Sequence, residues 1–183
     1  MSFSIEDLQN KNPNAVRSFV DEYKQMVFRI SLGYLQNEDD ANDLTQDIFV
    51  KAIRSIDGFN EKSSLKTWLT RIVINQSLNY LRDNKKHQQS TDVEGAFNLQ
   101  SGYETEADFK INQHELKRNL AIAIKKLPER QRQVFVLFHY NNNSYSEIAI
   151  VVKGSEKSVE SLLQRARKNL QKELMDFYKE NFN

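Results

Sequence analysis

No cysteine occurs among the 183 residues, so a disulfide, a thiolate nucleophile and a cysteine-ligated zinc are all excluded. Histidine is nearly as sparse: His87, His114 and His139 stand far apart without ligand spacing, so neither a metal nor any other cofactor is expected. Long apolar runs are missing too. No run exceeds the length of Val134 to Phe138, far short of the roughly 20 residues a membrane helix needs. The start, Met1-Ser2-Phe3-Ser4-Ile5-Glu6-Asp7, has neither the basic residues nor the apolar stretch of a signal peptide, which predicts a cytoplasmic protein with no direct membrane insertion. Only five Gly and two Pro punctuate the chain. Between them apolar residues recur at intervals of three and four, the period of a helix, and the fold expected is all-α.

Charge is present in quantity but almost cancels, with 26 Lys plus Arg against 25 Asp plus Glu and a net of +1. The cancellation hides blocks. Residues 1–57 carry six basic and ten acidic residues, net −4, and residues 58–86 carry six and two, net +4. Residues 87–113 hold one basic and five acidic residues, net −4, and residues 114–183 hold thirteen and eight, net +5. Such alternation points to separate surfaces with different partners rather than one basic face. The polar stretch after His87 contains two Gly and no helical apolar period as far as Gly102, so it reads as a flexible acidic linker. The division expected is a helical domain over 1–86, a linker over 87–113 and a second helical domain over 114–183.

In the first domain Ala15, Val16, Phe19, Val20, Tyr23, Val27, Ile30 and Tyr34 trace one helical face. A second helix starts near Asn37 with Glu38, Asp39 and Asp40 in its first turn, where acids suit the helix dipole. Its Ala41, Leu44, Ile48 and Ala52 have core spacing, which turns Asp40, Asp43, Gln46 and Asp47 elsewhere, as a solvated acidic face or a dock for a basic partner. The helix from about Leu65 to Arg82 has two apolar stripes, Leu65, Leu69, Ile72 and Tyr80 on one side and Ile74, Leu78 and Leu81 on another. Between them runs a seam of Trp68, Arg71, Asn75 and Arg82, flanked by Lys62, Lys66, Lys85 and Lys86. That is the composition of a groove for a nucleic-acid strand, with cations for phosphates and an amide for a base edge. Trp68 itself is assigned to the core.

In the second domain Leu127-Pro128-Glu129 separates two helices, and Ser144-Tyr145-Ser146-Glu147 has the S-x-x-E form of a capping box. A short helix, the turn Lys153-Gly154-Ser155 and a long helix follow, the order of a helix-turn-helix whose second helix enters the major groove. The core stripe of the long helix is Val159, Leu162, Leu163, Ala166, Leu170 and Leu174. Opposite it stand Lys157, Glu160, Ser161, Gln164, Arg165 and Lys168, residue types that read base edges and hold phosphates.

Taken together these stretches resemble the extracytoplasmic-function (ECF) sigma factors of bacterial RNA polymerase. Asp40-Ala41-Asn42-Asp43-Leu44-Thr45-Gln46-Asp47-Ile48-Phe49-Val50 is similar to one signature of that family, and Phe59-Asn60-Glu61-Lys62-Ser63-Ser64-Leu65-Lys66-Thr67-Trp68-Leu69-Thr70-Arg71-Ile72-Val73-Ile74-Asn75 with Tyr80-Leu81-Arg82 to another. Leu127 to Arg132, Ser144 to Ala149 and Val159 to Leu170 resemble its L-P-x-x-x-R, S-Y-x-E-I-A and T-V-x-S-x-L-x-R-A-R-x-x-L patterns. The resemblance implies a protein that binds core RNA polymerase and directs it to promoters. Asp40, Asp43, Gln46 and Asp47 would meet the clamp helices of β′, and the apolar side of the second domain the β-flap. Phe59, Asn60, Lys62, Ser63, Ser64, Arg71, Asn75 and Arg82 would act on the minus-ten element, the loop and Asn75 trapping an unstacked base as the strands part. Arg71 and Ile72 occupy the positions where housekeeping relatives carry a melting pair of Trp.

Lys157, Glu160, Ser161, Gln164, Arg165 and Lys168 would meet the minus-thirty-five duplex. Glu160 departs from a position that is often basic, and Leu162 from one often polar. The resemblance also implies an anti-sigma factor as partner, and the acidic linker could mimic single-stranded nucleic acid in the polymerase channel. Two other classes fit less of the chain. A repressor acting alone would use only the second domain, and a magnesium hydrolase built on Asp39, Asp40, Asp43 and Asp47 lacks a partnering Glu-x-x-His motif. No enzymatic activity is expected.

Overall fold

The computed structural model describes the backbone of residues 3–90 and 107–182 and the side chains of residues 3–84, 115–175 and 179. Among these residues the secondary structure is helical: α1 (Ile5–Gln9), α2 (Pro13–Leu35), α3 (Glu38–Ser55), a single 3-10 turn (Ile56–Gly58), α4 (Leu65–Ser90), α5 (Ala107–Lys126), α6 (Glu129–His139), α7 (Tyr145–Val152) and α8 (Glu156–Phe182). Local chemistry sets the boundaries. Asn12 caps α2 by accepting from the Asn14 amide, with Pro13 in the first turn. Asn37 caps α3 by accepting from the Asp40 amide, and three acids follow it. α2 ends where Gln36 turns left-handed at φ 54° and returns its amide to the Leu32 carbonyl.

The central helix of the first unit is α2, packed against α3 and α4. Its apolar face buries Phe19, Val27, Ile30 and Tyr34 completely, with Tyr23 and Met26 nearly so. Leu44, Ile48 and Ala52 of α3 and Leu65, Leu69 and Val73 of α4 close the core around it. In the second unit α8 is central, receiving α5, α6 and α7 along Val159, Leu163, Ala166 and Leu170.

The helices extend beyond the boundaries read from the sequence. α4 runs to Ser90 and α5 begins at Ala107, so helix occupies both ends of the stretch assigned to the linker, while residues 91–106 lie outside the described residues. The sequence allows this, because no Gly or Pro intervenes between Leu65 and Gly95 or between Gly102 and Pro128. The two units also touch. α6 and α5 lie on α2, α7 lies on α4, and one continuous apolar cluster runs from Phe19 and Ile30 through Leu69 to Val136, Ile148 and Leu163.

Candidate nucleic-acid interface

The helix-turn-helix is held by two reciprocal caps. At α7, Ser144 accepts from the Glu147 amide at 3.2 Å while the Glu147 carboxylate accepts from the Ser144 amide at 2.9 Å, so the capping box is complete. At α8, Ser155 accepts from the Ser158 amide at 3.2 Å and the Ser158 hydroxyl accepts from the Ser155 amide at 3.1 Å. The turn between them is made by Lys153, which is left-handed at φ 53°, and not by Gly154. Gly154 meets a different need, since a Cβ there would come 2.8 Å from the Ser158 hydroxyl oxygen that caps α8.

On α8, Lys157, Glu160, Gln164, Arg165 and Lys168 are exposed and Ser161 is half-buried, all opposite the buried Val159, Leu163 and Ala166. This leaves a polar face of about three turns on a helix anchored from behind, the form a major-groove reader requires. Leu162 is partly buried against the core and extends the apolar stripe. Arg167 sits 5.8 Å from the Phe138 ring centroid, outside the predicted reading face.

The first unit divides its predicted residues. Asn75 and Arg82 of α4 are exposed, as are Asn60, Lys62 and Ser64 in the loop before it, and Ser63 is half-buried. Ser64 caps α4, accepting from the Thr67 amide at 3.1 Å and donating to the Thr67 hydroxyl at 2.9 Å. Its hydroxyl is therefore committed to the helix start. Phe59 is only 7% exposed and packs its ring 5.4 Å from that of Trp68, so it supports the loop from beneath and does not face solvent. An aromatic at a loop start is ambiguous in sequence, and here the apolar floor offered by Trp68 decides. Gln9 of α1, not foreseen, donates its side-chain amide to the Ile56 and Phe59 carbonyls at 3.3 Å each and ties down the beginning of the same loop.

Arg71 is set apart from Asn75. Its guanidinium donates to the Ile150 carbonyl at 2.7 Å and the Val151 carbonyl at 3.3 Å, two of the last-turn oxygens of α7 that have no helical partner. A cation at a helix C-terminus is favourable for the same reason. One turn earlier Lys66 pairs with Glu147 at 2.8 Å. That bond, then the Ser144 amide, holds the Glu147 carboxyl down at about 2.

Of the acidic set, Asp43, Gln46 and Asp47 are exposed on one side of α3. Asp40 is half-buried; burial raises the Tyr80 phenol, with Asp40 adding to the rise, and burial lowers Lys125 of α5 while Asp40 opposes that shift. Among the described residues no group of three or more His, Cys, Asp or Glu is placed to hold a metal ion, and no helix is long and apolar enough to cross a membrane.

Known proteins share this arrangement. Residues 19–87 match the family Sigma-70 region 2, and residues 117–170 match Sigma-70, region 4. The chain is 30% identical over 169 residues to the ECF RNA polymerase sigma-E factor of Escherichia coli strain K12, covering 89% of this chain and 88% of that one. It is 28% identical over 178 residues to the ECF RNA polymerase sigma factor SigW of Bacillus subtilis strain 168, covering 94% and 95%. Among solved structures, CnrH in complex with the cytosolic domain of CnrY superposes with a TM-score of 0.66 at 25% identity, over 94% of each chain.

Proposed function

Because the chain belongs to the ECF sigma factors of RNA polymerase, we propose that its two helical units divide promoter recognition between duplex and melted DNA. The family assignment makes the protein a transcription initiation factor that directs polymerase to promoters. The finer reading concerns which residues do what. The exposed face of α8, from Lys157 to Lys168, enters the major groove of the upstream element, with Gln164 and Arg165 as base or phosphate contacts and Glu160 accepting from a cytosine amine. Asn60, Lys62 and Asn75 act on the downstream element. Asn75 is exposed, and its amide makes no hydrogen bond among the described residues, so both its donors and its acceptor are available to a flipped base. Ser63, Ser64 and Phe59 shape this loop, and Arg82 adds a cation about two helical turns beyond Asn75.

Asp43, Gln46 and Asp47, with Asp40 at the edge, meet basic clamp helices of core polymerase, and the α6 side of the second unit meets its flap. CnrH is solved with a protein partner, the cytosolic domain of CnrY, and this chain is held in the same manner by an anti-sigma factor. The work is done beside polymerase, in the cytoplasm, without enzymatic activity of its own.

The observation that carries this reading is the pairing, in one chain, of an anchored helix with an outward polar reading face and a second unit that leaves Asn75 exposed beside a tethered loop. The test is Asn75→Ala. Open-complex formation on a cognate promoter, followed by permanganate reactivity of melted thymines, should fall about tenfold or more while affinity for core polymerase is unchanged. Equal loss of both would remove Asn75 from base capture.

A further inference from the structure

α8 is longer than reading a groove requires. From Lys157 to Lys168 it rises about 16 Å, already more than the roughly 12 Å width of a major groove, yet it continues to Phe182, past residue 170 where the match to region 4 ends. No Gly or Pro lies between Ser155 and Phe182, so nothing in that stretch kinks the helix. Its second half therefore projects from the groove in line with the first.

The polar face continues with it. Lys168, Gln171, Lys172, Met175 and Lys179 follow Lys157, Ser161 and Gln164 at helical spacing, and their side chains line one shallow groove along the helix. All five are exposed, Met175 by half. Behind them the helix is held. Asn169 donates to Gln131 of α6 at 2.8 Å, Leu170 is buried, and Glu173 pairs with Lys126 of α5 at 2.7 Å. The extension is a supported surface.

Its charge is of one sign. Ser161 to Lys172 contains Arg165, Arg167, Lys168 and Lys172 and no acid, and among the described residues no acid pairs with Lys168, Lys172 or Lys179. Lysines four apart on one helix face repel, so Lys168 and Lys172 weaken the helix they stand on. The helix dipole does not offset this, since it favours cations in the last turn only, and both residues lie well before it. A polyanion along the face does.

We propose that Lys172 and Lys179, together with Lys168, hold phosphates flanking the upstream element, beyond the base pairs that Gln164 and Arg165 read. The inference rests on the sigma-factor reading and extends its contact with DNA. Lysine suits the role, as a point charge on a flexible stem that reaches phosphates without reading sequence. Continuity with the reading face selects DNA over an acidic protein, because a duplex seated on Gln164 and Arg165 brings its charged backbone to the same side of the helix. Met175, a weak acceptor and no donor, adds no base reading between the two cations.

The test is the salt dependence of binding by the full chain with core polymerase to a promoter fragment recovered by initiation from a genomic library. Lys172→Ala with Lys179→Ala, on a helix that alanine favours, should lower the slope of log K against log salt by about 1.8, so that the parent's advantage shrinks about tenfold between about 50 and about 200 mM salt. Penalties for single base-pair changes in the upstream element should stay as in the parent, since phosphate contacts carry no sequence. Lys172→Arg with Lys179→Arg should restore the parent slope. Arg17→Ala with Lys24→Ala removes the same charge from exposed positions of α2 and should leave the slope unchanged. An unchanged slope in the α8 alanine variant overturns the proposal and gives the face to something other than DNA. An equal fall in both alanine pairs also overturns it, reducing the effect to net charge. A parent that initiates at no fragment would overturn the sigma-factor reading and this inference with it, whereas a parent that initiates and an α8 variant that keeps its slope overturn the inference alone.

Discussion

Glu147 joins the helix-turn-helix to the first unit, and removing its two roles separately makes a demanding test. Its carboxylate accepts from the Ser144 amide within the capping box and pairs with Lys66 at 2.8 Å. Glu147→Gln retains an acceptor for the cap, since Gln serves at that position, but removes the charge. Glu147→Ala removes both. The carboxyl is held at about 2 against an ordinary 4.5, chiefly by Lys66 and then by Ser144. Both side chains of the pair are nearly half exposed, so solvent screens much of that shift and the ion pair contributes at most about 1 kcal/mol. The cap adds about 1 kcal/mol. At pH 7 Glu147→Gln should therefore cost up to about 1 kcal/mol and Glu147→Ala about twice that.

The sign of the pH dependence follows from a folded-state value below the unfolded one. The contribution is complete above about 4.5 and is lost as pH falls through about 2, below which both states hold the proton. Urea unfolding at pH 7 and near pH 2, at low and high salt, measures this. Parent and Glu147→Gln should converge in acid, and salt should narrow their gap at pH 7. Equal losses for Gln and Ala, or a gap that does not change with pH, would refute the assignment of two separate roles.

Three further predictions address the interface. Lys153→Gly places glycine at a left-handed residue and should stabilise the chain by about 0.5 to 1 kcal/mol, read as a raised Tm. Gln9→Ala removes two amide bonds to the Ile56 and Phe59 carbonyls at the start of the loop before α4; it should cost about 1 kcal/mol in thermal unfolding and, on the proposed role of that loop, slow open-complex formation without altering upstream-element binding. Glu160→Gln should change preference at one or two upstream base pairs by about 1 kcal/mol each in a binding selection, and an unchanged profile would place Glu160 against solvent.

What could be read from the sequence was what depends on neighbours along the chain. Asn37 followed by three acids, Ser144 with Glu147 three residues on, and the Val159, Leu163, Ala166 and Leu170 stripe each contain their own geometry, and each is found where expected. The short α1 was not legible, because five residues are too few for a period, and its worth lies in contacts with distant parts of the chain, the buried Leu8 and the two bonds from Gln9. Phe59 is grouped with strand-binding residues on resemblance and Arg71 by its place in the polar seam of α4, yet Phe59 is packed against Trp68 and Arg71 is turned to α7. Both outcomes depend on surfaces that approach from elsewhere in the fold. One signal of the contact between units was available: Gly33, a glycine inside a helix with a large apolar face, asks what comes close to it.

The central claim is that this chain selects promoters for RNA polymerase through two separate units. In vitro transcription with core polymerase and a library of genomic fragments tests it most directly. The account predicts that the protein confers initiation on a small set of fragments sharing two elements, that Gln164→Ala with Arg165→Ala abolishes selection through the upstream element, and that Asn75→Ala abolishes melting at the downstream one. Initiation no greater than core polymerase achieves alone, or tight duplex binding by the protein without polymerase, would contradict it.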